Sequence, residues 1–350
     1  MPTTAVSLAD LTTLRVGGPV RRYLTAGTTD AVIDGVRECD ATGEPLLVLG
    51  GGSNLLVGDD GFDGTVVHVR TRGLHLEAAT SCGGASVRVA AGESWDGVVV
   101  EAIRRQWVGI EALSGIPGST GATPIQNVGA YGQEVASTIA TVRTWDRQQN
   151  RVATLASADC EFAYRHSRFK EETFRGGPRF VVLEVTFQLL LGPLSERIRY
   201  AELARALGVE VGERAPLEDV RAAVLALRAG KGMVLDEADH DTWSAGSFFT
   251  NPVLPAADAE RLPAEAPRWP VEGDLVKTSA AWLIERAGFG RGFGMPGPAA
   301  VSRKHSLALT NRGGAKAADL VALARTVKDG VQAKFGIDLI PEPVLVGVNL

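Results

Sequence analysis

Two glycine-rich segments in the N-terminal half of the chain hold the residues best suited to chemistry. They are Gly50-Gly51-Gly52-Ser53-Asn54 and the stretch from Leu113 to Glu134, with glycines at 115, 118, 121, 129 and 132 and prolines at 117 and 124. Each offers successive backbone N–H groups with little side-chain bulk, an arrangement that cradles a pyrophosphate and lets a planar ring approach the chain. A diphosphate-containing cofactor is the natural guest. Taken singly, either loop also reads as a tight connection; two of this density in one half of the chain favour a ligand.

A second constellation is spread over Phe162–Ser167, Gly246–Pro252 and Ile340–Pro343. Alone, each has an ordinary reading: Arg165 on a solvated face, Ser247 as a turn hydroxyl, Glu342 as an edge-strand charge.

Other chemistries are disfavoured. Leu55 stands where a dinucleotide fingerprint G-x-G-x-x-G needs its third glycine, and the Gly230-Lys231 pair is followed by Gly232 rather than Ser or Thr, so no phosphate-binding P-loop is present. Neither H-E-x-x-H nor G-x-S-x-G occurs. His68, His75, His166, His240 and His305 lack metal-ligand spacing and read as surface or satisfied loop histidines, so no metal is expected. Cys39, Cys82 and Cys160 are odd in number and widely spaced, which fits a reduced compartment rather than a disulfide framework.

The elements that must position these residues mix helix and strand. Short apolar runs at 46–49, 66–69 and 87–91 read as strands, the first entering the Gly50 loop. Trp95, Val98, Val99, Ala102 and Ile103 fall on one helical face. The 113–134 segment is too broken for a helix or long strand and reads as an ordered loop wrapped around something. Residues 180–191 predict a long strand, 217–229 a helix stopped at Gly230, and 254–270 a proline-rich surface excursion. Leu320, Leu323, Ala324, Val327 and Val331 make a helical stripe closing before Gly336, followed by a strand at 343–348.

Length and composition set outer bounds. With 350 residues, two or three domains are expected. A 45% hydrophobic, 22% charged chain of net charge −5 is an ordinary globular composition, without the basic excess of a dedicated nucleic-acid binder. Met1–Asp10 carries no leader pattern and no apolar run is long enough to span a bilayer, so neither nucleic acid nor membrane insertion is expected. Charge and composition predict no oligomeric state.

Taken together, five strings resemble the UDP-N-acetylenolpyruvoylglucosamine reductases of bacterial peptidoglycan synthesis. They are Leu49–Asn54, Ile116–Gly132, Tyr164-Arg165, Ala245–Pro252 and Pro341-Glu342, in order and across nearly the whole chain. The resemblance is to the longer, first type of the family, through Ile198–Leu203 and an insertion around 255–275. It implies an α+β protein: a para-cresol methylhydroxylase-type FAD-binding fold of two α/β subdomains (1–70, rejoined by 342–350, and 71–228) plus a C-terminal α+β substrate-binding domain (229–341).

By the same resemblance, FAD is held by Gly50, Gly51, Gly52, Ser53, Asn54, Ile116, Pro117, Gly118, Gly121, Ala122, Gln126, Asn127, Gly129 and Ala130. A small nucleotide-sugar substrate is lined by Tyr131, Tyr200, Arg228, Lys231 and Asn251. The implied reaction uses NADPH and FAD to reduce an enolpyruvyl ether to a lactyl ether in the bacterial cytoplasm. Arg165 would fix the substrate carboxylate with its planar donor fork. Glu342, at least partly protonated, would stabilise the developing enolate, and Ser247 would deliver the proton. Trp269 stands where relatives place a lid tyrosine, and Thr250 where some carry lysine. The alternatives are another FAD oxidoreductase of this fold or a catalytically inactive flavin-binding relative.

Overall fold

The computed structural model describes residues 6–350, so the first five residues of the stretch read for a leader lie outside the described residues. The chain forms two units. One takes residues 20–51 and 63–230; the other takes the residues up to Pro19, 52–62 and 231–350. Each has its own hydrophobic core.

The first unit is organised around the strand Phe180–Leu191, whose Val, Phe and Thr content suits a pleated surface buried on most of its length. It lies between Ile139–Asp146 and Gly84–Ala90 in an antiparallel sheet, with Arg151–Ala156 and Leu74–Thr80 outermost and Trp107–Val108 pairing at its end. Glu184 interrupts the apolar run, and arginines on both neighbouring strands reach it, Arg143 at 2.7 Å and Arg88 at 3.0 Å. Burial opposes its ionisation, yet these two guanidinium groups hold its carboxyl below the usual glutamate range.

A smaller sheet joins Val20–Ala26, Phe62–Val69 and Leu46–Leu49, the last two in parallel, and delivers the chain into the Gly50 loop. The helix Thr29–Thr42 starts on the Thr28 side chain and ends at Gly43 in the left-handed conformation. The helix Trp95–Arg104 starts on Ser94 and buries the Trp95, Val98, Val99, Ala102 and Ile103 stripe. Residues 113–134 hold only single 3-10 turns and two-residue strands, because their glycines and prolines interrupt every longer ladder. The helix Leu217–Gly230 runs one residue past the expected end.

In the second unit the C-terminal strand Val344–Val346 pairs in parallel with Leu55–Val57. The helix Ala317–Phe335 buries the expected stripe and stops at Gly336, with φ of 70°. Both Asp59 carboxylate oxygens accept from its first N–H groups, Ala317 at 2.8 Å and Ala318 at 3.0 Å. The 254–270 stretch lies mostly exposed, as a surface excursion should, and it is ordered there: it contributes to a three-stranded antiparallel sheet ordered Val253–Pro255, Leu275–Thr278, Arg268–Val271. Pro255 ends one edge strand and Pro270 lies in the other, while Pro263 and Pro267 lie between strands, the positions where proline is tolerated in a sheet.

Asp241, fully buried, anchors the segment between the Gly232 turn and Ser247. It accepts from the Arg303 N–H at 2.9 Å, from Arg303 Nε at 3.0 Å and from the Arg312 guanidinium at 2.8 Å. Burial opposes its charge, but these donors hold its carboxyl below the usual aspartate range. A depressed folded value stabilises above the unfolded aspartate value of about 3.9 and is lost as pH falls through the folded one. Asp241→Asn is therefore expected to cost about 1–3 kcal/mol at pH 7, and the gap to wild type should close as pH falls below that window. Denaturant melts at pH 7 and in acid check this; a pH-independent gap would assign the loss to shape alone.

Candidate functional site

The two glycine loops interlock. A Cβ at Gly50 would lie 2.3 Å from Ser119 Oγ, one at Gly51 2.5 Å from Gly118 Cα, and one at Gly121 2.5 Å from Ala91 Cβ. Close backbone approach is thus used between the two loops at Gly50 and Gly51 and against the end of the Gly84–Ala90 strand at Gly121, as well as being available to clear a ligand. The second loop is pinned from below: Trp95 N–H donates to Gly118 O at 3.1 Å, Thr120 N–H to Glu93 O at 2.8 Å and Gly121 N–H to Ala91 O at 2.8 Å. Ile116 packs partly buried on the core, beside Pro117; Ala122 N–H closes the 3-10 turn on Ser119 O; Ala130 pairs with Gln133.

The first loop rests on a residue read only as a surface or loop histidine. His68 is buried in a strand, hydrogen-bonds the Gly50 backbone, and meets Tyr23 Oη at 2.5 Å through Nδ1. Burial, reinforced by Arg70, holds its imidazole below the ordinary histidine range, so it is neutral at pH 7.

Asn127 is committed to the protein. Its Nδ2 donates to Glu134 Oε2 and Ala163 O, both at 3.0 Å, and its Oδ1 accepts from Ala136 N–H at 3.2 Å. Its side chain thereby shapes the loop. Arg165 docks on the same loop, donating to Asn127 O at 3.3 Å and Gly129 O at 3.0 Å, with its guanidinium 5.4 Å from the Tyr164 ring centroid. Tyr131 and Tyr200 meet edge to face at 6.0 Å, and Tyr200 is half exposed. Burial lowers the Arg228 pKa from its ordinary value, against the raising influence of Tyr131 and Asp96. Asp96 also clamps Arg221 of the same helix with both oxygens and accepts from Gly115 N–H at 2.6 Å.

Two further residues escape sequence reading. Buried Glu111 accepts from Gly109 N–H, Gln133 Nε2 and Glu196 N–H at 2.7–2.9 Å, tying the Tyr131 loop to the segment leading to Tyr200. Lys170 Nζ donates to Gln126 Oε1 at 3.2 Å. A carboxylate just ahead of a glycine loop or a lysine on a short helix carries no local signal of such a role.

In the second unit, Gly52 has φ of +64° and its carbonyl accepts from Thr13 N–H at 3.1 Å; Ser53 O accepts from Thr13 Oγ1. Asn54 Nδ2 donates to Glu342 O at 3.3 Å, and Val344 N–H donates to Asn54 O. Glu342 N–H donates to Phe248 O at 2.8 Å, and Thr250 N–H to Ile340 O at 3.0 Å. Ser247 and Glu342, far apart in sequence, are thereby brought onto paired segments, with Phe248 and Phe249 buried beneath. Asn251 Oδ1 accepts from Ala280 N–H, helping Ser279 start the helix Ala280–Arg286, which leaves Nδ2 as the donor Asn251 presents. Lys231 opens the Gly232 turn, where a Cβ would meet Asp241 O at 2.8 Å.

These residues fit FAD on one direct observation. Gln126 is buried, and its Nε2 has no hydrogen-bond partner within the protein among the described residues. A buried amide donor with no protein acceptor costs free energy that an acceptor atom of a bound group would recover. No group of His, Cys, Asp and Glu able to hold a metal ion occurs among the described residues, and none of their helices is long and apolar enough to cross a membrane.

Comparison with known proteins gives concordant matches. A family profile described as FAD binding domain matches residues 20–153, and one described as UDP-N-acetylenolpyruvoylglucosamine reductase, C-terminal domain, matches 237–346. The UDP-N-acetylenolpyruvoylglucosamine reductase of Cutibacterium acnes is 58% identical over 99% of this chain and 90% of its own length. That of Streptomyces coelicolor is 56% identical over 98% and 90%. The crystal structure of the Thermus caldophilus UDP-N-acetylenolpyruvylglucosamine reductase superposes with a TM-score of 0.66 at 25% identity, covering 98% of each chain.

Proposed function

The chain belongs to the UDP-N-acetylenolpyruvoylglucosamine reductase family and has its α+β, para-cresol methylhydroxylase-type FAD-binding fold; from that premise we propose its reaction. It reduces UDP-N-acetylglucosamine enolpyruvate to UDP-N-acetylmuramate with NADPH, in peptidoglycan precursor synthesis in the bacterial cytoplasm. The observation that carries this reading is the pairing of 247–250 with 340–342, which sets a hydroxyl donor and a carboxyl group on adjoining segments.

Bound FAD supplies the hydride carrier between NADPH and the terminal vinyl carbon. Gly50–Asn54 and Ile116–Ala130 hold it, with Gln126 Nε2 as a buried donor. Net addition is one hydride to the vinyl carbon and one proton to the carbon bearing the carboxylate, with NADPH leaving as NADP⁺. Hydride addition places negative charge on the carboxylate-bearing carbon and its oxygens, so donors aimed there lower the barrier. Arg165, its plane fixed by two loop carbonyls, orients the substrate carboxylate. Ser247 Oγ delivers the proton, and Glu342, in the part of its population that is protonated, stabilises the enolate. Tyr131, Tyr200, Arg228, Lys231 and Asn251 line the nucleotide sugar.

Trp269 lies opposite Lys277 on neighbouring strands, so indole and ammonium share one face of the 253–278 sheet. An exposed indole there can stack on a base, though it offers one N–H donor and no phenolic acceptor. The division into 1–70 with 342–350, 71–228 and 229–341 is retained as a proposal for subdomains.

The test is a visible spectrum of the purified protein, followed anaerobically by NADPH and then by the enolpyruvyl nucleotide. Flavin bands are expected to bleach with NADPH and return with the nucleotide. Bleaching without return would favour an inactive relative or another FAD oxidoreductase, and a colourless protein that takes up no FAD would end the proposal.

A further inference from the structure

The 165–170 segment is strapped to the second glycine loop one residue after another. Ser167 Oγ donates to Ile125 O at 2.8 Å, Lys170 Nζ to Gln126 Oε1 at 3.2 Å, and Arg165 to Asn127 O and Gly129 O. Lys170 Nζ also donates to the Arg165 carbonyl at 3.1 Å. The short helix Arg168–Glu171 that carries Lys170 is held by buried Phe169, whose ring meets Phe180 at 6.0 Å and Phe162 at 6.4 Å.

A primary amide can present either end, and the two differ chemically: the oxygen accepts, the nitrogen donates. An ammonium has donors only, so Lys170 selects the orientation in which Gln126 Oε1 faces it. The opposite end, Nε2, is then a donor, buried and without a protein partner among the described residues.

We propose that Lys170 is a positioning residue for the cofactor: its ammonium locks the Gln126 amide so that Nε2 is offered as a hydrogen-bond donor to an acceptor atom of FAD. This rests on the FAD reading above. Through the Arg165 carbonyl the same ammonium links the amide to the residue that orients substrate. Without it the amide is free to flip, and a flipped amide would set its oxygen against the cofactor's acceptor.

The experiment measures FAD dissociation from holoenzyme by flavin fluorescence, together with the visible spectrum of the bound flavin. It compares wild type, Lys170→Met, Lys170→Arg, Gln126→Ala and the Lys170→Met/Gln126→Ala pair. Lys170→Met is expected to weaken FAD binding roughly five- to ten-fold, the range of one ordinary hydrogen bond, and to shift the flavin bands. Lys170→Arg should restore most of both. The double variant should be no weaker than Gln126→Ala alone, because the lysine acts through the amide. Wild-type affinity and spectrum in Lys170→Met, or losses that multiply in the double variant, would overturn this role while leaving the FAD reading intact. A wild-type protein that binds no FAD would overturn both.

Discussion

Ser247→Ala should bleach with NADPH much as wild type does, yet reoxidise with the enolpyruvyl nucleotide about 10²–10⁴-fold more slowly, the range associated with a positioned general acid. Only the second half of the reaction consumes the proton that Ser247 Oγ is proposed to deliver. An aliphatic hydroxyl holds its proton tightly, so the loss should be large rather than marginal. The fold is not at risk in the same way: a turn hydroxyl is removed while Phe248 and Phe249 stay buried and the Glu342 N–H still finds the Phe248 carbonyl. Stopped-flow absorbance of the two half-reactions separates the cases, and equal slowing of both would remove Ser247 from the proton step.

The largest effect on stability is expected at Gly52. Its φ of +64° disfavours any side chain, and a Cβ would lie 1.7 Å from the Leu11 carbonyl oxygen and 2.8 Å from its carbon. Backbone must move, which endangers the Thr13 hydrogen bonds to Gly52 O and Ser53 O and hence the shape of the first loop. Gly52→Ala is expected to cost on the order of 3 kcal/mol or more, the cost of strain at a special backbone position plus a steric clash. Gly27→Ala serves as the control: nothing lies within 4 Å of its Cβ and its φ is not positive, so it should stay within about 0.5 kcal/mol of wild type. Denaturant unfolding of the two variants decides this, and equal midpoints would mean that the loop yields at little cost.

Local order was legible where one short stretch carries its own signal. The strand Leu46–Leu49, the strand Phe180–Leu191 and the helix stopped by Gly336 match their expectations because alternation, stripe and terminator lie within a dozen or so neighbouring residues. The helix Thr29–Thr42 was passed over: its Val32, Ile33, Val36 and Cys39 face is interrupted by Gly35 and flanked by polar residues, a weak stripe that gains its stability from packing. The surface position of 254–270 is legible from its prolines, but the sheet it joins is not, because its strands are short and proline-bearing and acquire meaning only when paired.

The sequence by itself determined which residue types and glycine loops were available and, through five spaced strings, which family they resemble; composition alone could not have assigned a role to Arg165, Ser247 or Glu342. Tertiary structure alone decided what each group does for its neighbours. Glycines expected to clear a ligand also clear neighbouring protein, Gly50 and Gly51 the second loop, Gly52 the Leu11 carbonyl and Gly121 Ala91; the Asn127 side chain is hydrogen-bonded inside its loop, and His68 supports Gly50 from a buried strand. Lys170 reaches Gln126 across 44 residues of sequence. The physical reason is that periodicity and capping act over a few residues, whereas hydrogen-bond satisfaction and steric exclusion act over a few ångströms, whatever the separation along the chain.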